Sequence, residues 1–482
     1  MEAASSPARG TSDEAGAAVA DNQFDLVILG GGSGGYAAAL RAAELGKSVV
    51  LIEKDKVGGT CLHRGCIPTK ALLHAGEIAD QARESETFGV NATFNGIDMS
   101  GVHKYKDGVV SKNHKGLTGL IKSRGIQIVE GEGRLTGAKT VTVGSDTYTG
   151  TNVVLATGSY SRTLPGLDID GQRVITSEHA LVLDRVPQTA IVLGGGVIGV
   201  EFASAWTSFG TQVTIVEALP HLLPLEDEAS SKLLERAFRR RKINFKLGAR
   251  FEKVEHTDSG VRVTLEGGES LEAEVLLVAV GRGPVSQNLG YEEQGIAIER
   301  GFVVTDELCR TSVEGVYAVG DLITQGNGPH LQLAHVGFAE GILVAEHLAG
   351  QPVVPIDYAG VPRITYSAPE VASVGLSEAQ AAEKYGADNI KTVTYDLSGN
   401  GRSAILNAKG AVKLVAQDSG PVLGVHIVGE RVGELIAEAQ LIYNWEALPS
   451  EVAQLIHPHP TQSEAIGEAH LLLAGKPLHV HD

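Results

Sequence analysis

Two of the residues best suited to chemistry in this chain are cysteines. Cys61 and Cys66 stand in the run Gly58-Gly59-Thr60-Cys61-Leu62-His63-Arg64-Gly65-Cys66-Ile67-Pro68-Thr69-Lys70, and Cys309 is the only other cysteine in 482 residues. As metal ligands the pair would need two more donors at fitting positions, and the sequence holds no second Cys-x-x-Cys or Cys–His set. As a structural disulfide they would close a very short loop and restrict the unfolded chain little. A redox disulfide is the better reading, because a short, strained loop is easily reduced and re-formed. On a regular helix this separation rises about 7.5 Å, beyond comfortable disulfide reach. The segment is therefore expected to bend, with Gly65 and Pro68 allowing it. Thr69–Ala82 reads as a helix, and a cysteine just before it gains thiolate character from the helix dipole. Cys309 has no partner and reads as an ordinary small residue.

The elements around this pair are legible as nucleotide-binding units. Asp25–Leu29 is a short apolar run suited to a buried parallel strand. It leads into Gly30-Gly31-Gly32-Ser33-Gly34-Gly35, then the Ala-rich helix former Tyr36–Leu45, stopped at Gly46, then a strand Ser48–Ile52 ending at Glu53. Strand, glycine turn, helix, strand and terminal acid make up a dinucleotide-binding unit. Gly30, Gly32 and Gly35 let the backbone approach a pyrophosphate at a helix N-terminus, and Glu53 would accept from a ribose hydroxyl. The unit recurs. Thr189–Leu193 is followed by Gly194-Gly195-Gly196-Val197-Ile198-Gly199, a helix through Phe209, and a strand Gln212–Val216 ending at Glu217. Gly30 to Glu53 and Gly194 to Glu217 have the same spacing, so two such domains are expected. A carboxylate at Glu217 pairs with a free 2′-hydroxyl and repels a 2′-phosphate, so the second site, with Gly194, Gly196 and Gly199, should take NAD.

Composition narrows the class. Hydrophobic residues make up 43% and charged residues 20%, a folded balance and not a disordered one. The net charge of −18 argues against nucleic-acid binding, which needs a basic face. The longest apolar runs, such as Val275–Val280, fall far short of the ~18–20 residues that span a bilayer. Few cysteines point to a reducing compartment. Residues 1–22 have neither a signal-peptide nor a transit-peptide pattern and read as a disordered tail, leaving the cytoplasm as the expected location.

With the cysteine run, the sequence resembles the class I pyridine nucleotide–disulfide oxidoreductases, and within them the dihydrolipoamide dehydrogenase branch. Gly58–Lys70 is close to that family's GGTC-L-N-x-GC-I-P-[ST]-K motif, with His63-Arg64 where Asn-Val is common. The resemblance runs from about Phe24 to the C-terminus and implies FAD in the first unit and NAD in the second. It implies FAD contacts at Gly30, Gly32, Ser33, Gly35, Glu53, Gly59, Thr60 and Lys70. Ala156-Thr157-Gly158-Ser159 resembles the crossover into the NAD domain, and Gly281-Arg282-Gly283-Pro284 the return, so Thr157, Gly158 and Ser159 join the FAD set and Gly281 the NAD set. Gly315–Asp321 resembles the second FAD motif, with Gly320 and Asp321 at the flavin's ribityl chain. Leu333-Ala334-His335 resembles the helix start beneath its pyrimidine ring. Lys70, near the flavin N5, would pair with Glu201. Ile198 occupies the position where glutathione reductases commonly carry a gating Tyr.

The C-terminal run His457-Pro458-His459-Pro460-Thr461-Gln462-Ser463-Glu464 resembles the family's HxHPTxSE motif. It implies that His459 is the general base, oriented by Glu464, and that it acts on the Cys61–Cys66 disulfide of the other subunit of a homodimer. The implied activity is oxidation of dihydrolipoamide, carried on lipoyl domains, with transfer of electrons through FAD to NAD. The implied assembly partner is the E2 core of 2-oxo acid dehydrogenase complexes. The alternative is another flavin disulfide reductase, acting on a low-molecular-weight disulfide such as mycothione. No metal, membrane or nucleic-acid partner is expected.

The expected fold is α/β: two Rossmann-like dinucleotide-binding domains and a C-terminal α+β dimerisation domain. The expected divisions are a tail (1–22), the first part of the FAD domain (23–160), the NAD domain (161–283), the second part of the FAD domain (284–356) and the interface domain (357–482). Gly96–Gly125 is helical in pattern and reads as an excursion before the sheet resumes at Ile126.

Overall fold

The structure, a computed structural model, describes residues 22–326 and 330–480. The expected disordered tail lies, but for its last residue, outside the described residues.

The first fingerprint folds as read. Strand β1 (Gln23–Leu29) is buried over its last four residues, helix α1 runs Ser33–Glu44, and β2 is Val49–Glu53. The helix starts three residues earlier than its Ala-rich pattern, because Ser33-Gly34-Gly35 already form its first turn after an extended Gly32. β1 lies between β2 and Asp146–Leu155, parallel to both. Val316–Ala318 adds a further parallel strand beside Val153–Leu155, bringing the distant second FAD motif into the same sheet. This sheet and its helices enclose one apolar core.

After β2 the chain turns through two helices, α2 (Gly59–Arg64) and α3 (Cys66–Glu84), then α4 (Met99–Ser123). The α4 excursion matches the pattern of 96–125. It is tied to the second domain where His103 Nε2 meets the Leu183 carbonyl at 2.9 Å and Lys106 donates to that of Leu181 at 2.8 Å.

The second fingerprint repeats the plan. Thr189–Leu193 pairs in parallel with Gln212–Val216 on one side and Val275–Val278 on the other, and the helix Val197–Phe209 ends on a left-handed Gly210. The chain enters this unit through Ser159–Ser161 and leaves through Arg282–Pro284, which pair antiparallel. The C-terminal unit is a five-stranded antiparallel sheet running from Arg363–Thr365 through Glu370–Gly375, Val422–Gly429 and Ala411–Gln417 to Ile390–Asp396. It carries its own apolar cluster with helices such as Val432–Asn444 and Glu464–Leu473.

Close packing and polar contacts fix the three units against one another. α3 approaches the helix Val197–Phe209 so closely that a Cβ on Gly76 would lie 2.9 Å from the Ser208 Cβ. Arg241 donates to Ser204 Oγ and Ser208 Oγ, both at 2.7 Å, and to the Ala368 carbonyl at 3.0 Å, and it pairs with Asp80 at 3.2 Å. Lys413 reaches Asp227 at 2.8 Å, and Arg363 reaches Glu226 at 3.0 Å.

Candidate active site

The two glycine loops have nearly the same local geometry. A Cβ on Gly35 would lie 1.9 Å from the Gly30 carbonyl oxygen, and one on Gly199 would lie 1.9 Å from that of Gly194. The last glycine of each motif therefore packs the helix onto its own strand, behind the cavity wall. The middle glycines, Gly32 and Gly196, face open space. The acids match as well. Glu53 accepts from the Gly31 N–H at 2.7 Å and the Asp55 N–H at 2.9 Å, and Glu217 accepts from Gly195 at 2.6 Å and Leu219 at 2.7 Å. Each carboxylate is held facing the mouth of its loop and keeps lone pairs for a ribose hydroxyl. Cradles that a side chain would fill, each closed by a fixed acid, fit one dinucleotide apiece.

A single cavity of about 1470 Å³ joins the two cradles. It is lined at one end by Gly30, Gly32, Ser33, Glu53, Gly59 and Thr60, and at the other by Gly194, Gly196, Ile198, Glu217 and Gly281. Cys61, Cys66, Lys70 and Glu201 lie between. Thr157, Gly158, Ser159, Gly320, Asp321, Leu333, Ala334 and His335 line it as well. Several of these already have partners. Thr157 Oγ1 donates to the Val285 carbonyl at 2.6 Å, binding the two crossings together. Ser159 donates to Asp321 at 2.5 Å and accepts from Arg282 Nε at 2.7 Å. His335 Nε2 meets the Pro362 carbonyl at 2.9 Å.

The cysteine segment bends at Gly65, which separates α2 from α3 and starts the new helix at Cys66. Cys66 is thus the first residue of α3, not a residue before a helix at Thr69. Pro68 falls in the first turn, where its missing N–H costs nothing, so the glycine alone makes the bend. Cys61 and Cys66 are unbonded to each other and both half-buried. Coupling to Cys61 and the nearby Lys70 charge together outweigh burial and lower Cys66 to about 7, while the same coupling and burial push Cys61 up. Both shifts run in the direction that favours a thiolate at Cys66 and a thiol at Cys61. Cys309 is buried, and that burial pushes its thiol well up, as befits an inert core residue.

Lys70 Nζ meets both Glu201 carboxylate oxygens, at 2.9 and 2.8 Å. Local sequence gave no sign of Tyr366, whose N–H donates to Glu201 at 2.9 Å and whose ring centroid lies 4.7 Å from Lys70 Nζ. Nor did it reveal Glu340, fully buried, which accepts from the Gly320 N–H at 2.6 Å and the Tyr358 hydroxyl at 2.8 Å and so fixes the second FAD motif.

His459 and Glu464 do not line this cavity. They form a pair of their own, Nδ1 to Oε1 at 2.8 Å, and Glu464 also accepts from the Thr461 N–H at 2.7 Å. Burial raises the Glu464 carboxyl, but these two hydrogen bonds prevail and hold it below its ordinary value. With Nδ1 engaged, His459 presents Nε2 outward on a side chain that is 78% exposed. His457, also paired with a glutamate, Glu438 at 2.7 Å, is only 11% exposed. The exposures separate a presented histidine from a structural one.

Comparison with known proteins agrees with this geometry. The profile of the family described as "Pyridine nucleotide-disulphide oxidoreductase" matches residues 24–341, and that of its dimerisation domain matches residues 361–470. A dihydrolipoyl dehydrogenase of Bacillus subtilis is 41% identical over 477 residues, covering 95% of this chain and 99% of its own. A mitochondrial dihydrolipoyl dehydrogenase of Pisum sativum is 38% identical, covering 95% and 93%. Among solved structures, LpdA of Mycobacterium tuberculosis superposes with a TM-score of 0.85 at 30% identity, covering 93% of this chain and 99% of its own. The HOCl-induced flavoprotein disulfide reductase RclA of Escherichia coli gives 0.83 at 29%, covering 93% and 100%. The chain belongs to the pyridine nucleotide–disulphide oxidoreductase family and carries that family's dimerisation domain.

Proposed function

We propose that the protein acts as a dihydrolipoyl dehydrogenase, oxidising dihydrolipoamide to lipoamide and reducing NAD. The observation that carries this is one cavity joining two dinucleotide cradles across Cys61 and Cys66, in a chain 41% identical to a dihydrolipoyl dehydrogenase over nearly its whole length. The first loop, Glu53, Thr60 and Asp321 would hold FAD, and the second loop and Glu217 would hold NAD. Between them the two cofactors supply hydride transfer.

The side chains manage thiols and protons. His459 of the partner subunit takes a proton from the substrate dithiol at Nε2, its ring oriented by a glutamate at Nδ1. The substrate thiolate attacks the Cys61 sulfur of the oxidised pair. A new S–S bond forms to Cys61, and the bond to Cys66 breaks with Cys66 leaving as thiolate, the state that Lys70 and the Cys61 thiol favour. The second substrate sulfur then displaces Cys61: the imidazolium gives its proton to the departing Cys61 sulfur and takes the proton of the second substrate thiol, so Cys61 ends as a thiol, the imidazole stays protonated, and cyclic lipoamide departs. The substrate loses two electrons and the cysteine pair gains them.

The homodimer supplies His459 across its interface. The reading places the protein in the cytoplasm and takes lipoyl domains as substrate carriers, with an E2 core as partner. Scarce cysteines suit a reducing compartment. No helix among the described residues is long and apolar enough to cross a membrane. The test is Cys66→Ser. Dihydrolipoamide turnover should fall by ~10³-fold or more while FAD stays bound, and full residual dithiol activity would sink the relay.

A further inference from the structure

Three domains converge on one ammonium group. Lys70 comes from α3, one turn after Cys66. Glu201 comes from the helix of the second fingerprint, and Tyr366 from the C-terminal unit. The Lys70–Glu201 contacts at 2.8 and 2.9 Å are closed by the Tyr366 N–H on Glu201 at 2.9 Å. The Tyr366 ring covers the ammonium, 4.7 Å from Nζ to the centroid. All three residues line the cavity with Cys61 and Cys66. Burial opposes a charge on Lys70, yet Glu201 keeps the ammonium above its ordinary value. A cation over an aromatic face gains most when water is excluded from it.

We propose that Tyr366 is a positioning residue for the redox pair: its ring holds the Lys70 ammonium beside Cys66, so that the dimerisation domain helps to set the thiolate state of the reactive cysteine. This rests on reading Cys61 and Cys66 as the redox pair. The charged and titratable groups facing Cys66 are Cys61 on α2, Lys70 on its own helix and Glu201. Tyr36 on α1 faces both sulfurs. Behind Tyr366 stand Glu370 and Glu434. Among these only Lys70 is a cation, so loosening it weakens the one side-chain positive charge that adds to the α3 N-terminus at the Cys66 sulfur.

The variant Tyr366→Leu removes the ring but keeps an apolar side chain and the backbone N–H. Tyr366→Phe keeps the ring and drops only the hydroxyl. The FAD-loaded protein is reduced, and the rate of iodoacetamide alkylation is followed against pH. Trypsin cuts after Arg64 and after Lys70, so Cys61 and Cys66 fall on separate peptides and are read individually by mass spectrometry. For Tyr366→Leu the midpoint of Cys66 alkylation should rise by about half a unit to one unit, making alkylation ~3–10-fold slower below it. Tyr366→Phe should match the wild type. An unchanged midpoint in the Leu variant overturns the proposal, and so does an equal shift in the Phe variant. Should the Leu variant lose FAD, Tyr366→Val gives the same reading. A wild-type protein without dihydrolipoamide turnover would overturn the substrate assignment and leave this titration intact.

Discussion

Glu53 and Glu217 close their nucleotide cradles in the same way, each held by the N–H of its own glycine loop and by one residue just beyond itself. That grip fixes where the charge sits. At Glu217, which is buried, the fixed charge should discriminate against a 2′-phosphate, since the carboxylate cannot swing away without abandoning two donors. Glu217→Gln keeps an acceptor for the loop and removes the charge. The NAD-over-NADP ratio in kcat/KM should then fall by about tenfold or more, ~1.4 kcal/mol, and an unchanged ratio would place the selectivity elsewhere. The histidines show the same logic. His457 and His459 both pair with glutamates, and only exposure distinguishes the one that can reach a substrate.

At the scale of elements, the nucleotide units were legible because their information is local. A strand, a glycine turn, a helix and a second strand occupy a short contiguous stretch, and each step has its own chemical sign. The bend between Cys61 and Cys66 is legible for a similar reason, although the local pattern points to a helix from Thr69 and Gly65 lets it start at Cys66. What local sequence could not show is contact across distance. Tyr366 meets Glu201 over a separation of 165 residues, and nothing beside Tyr366 marks it. Arg241 reads as one more cation at the end of a basic helix, yet it ties α3, the helix Val197–Phe209 and the segment at Ala368 together. Family resemblance supplied Lys70–Glu201, and the structure then supplied the ring above it.

For the whole molecule, the cavity holds the cysteines and both cradles, but His459 and Glu464 lie outside it. On the proposed reading the site within one chain lacks its base, which a symmetric dimer would lend. A mixture of Cys66→Ser and His459→Gln subunits, refolded together, should therefore recover activity that neither variant has alone. Random pairing makes half the dimers mixed, each with one intact site of two, so roughly a quarter of wild-type activity is expected. No recovery above the parents would contradict a base lent across the interface. The most direct test of the account as a whole is NAD reduction by dihydrolipoamide with the purified, FAD-loaded protein, with NADP run in parallel. Fast turnover with NAD alone is the predicted result. A protein that binds FAD but leaves dihydrolipoamide unoxidised would contradict it.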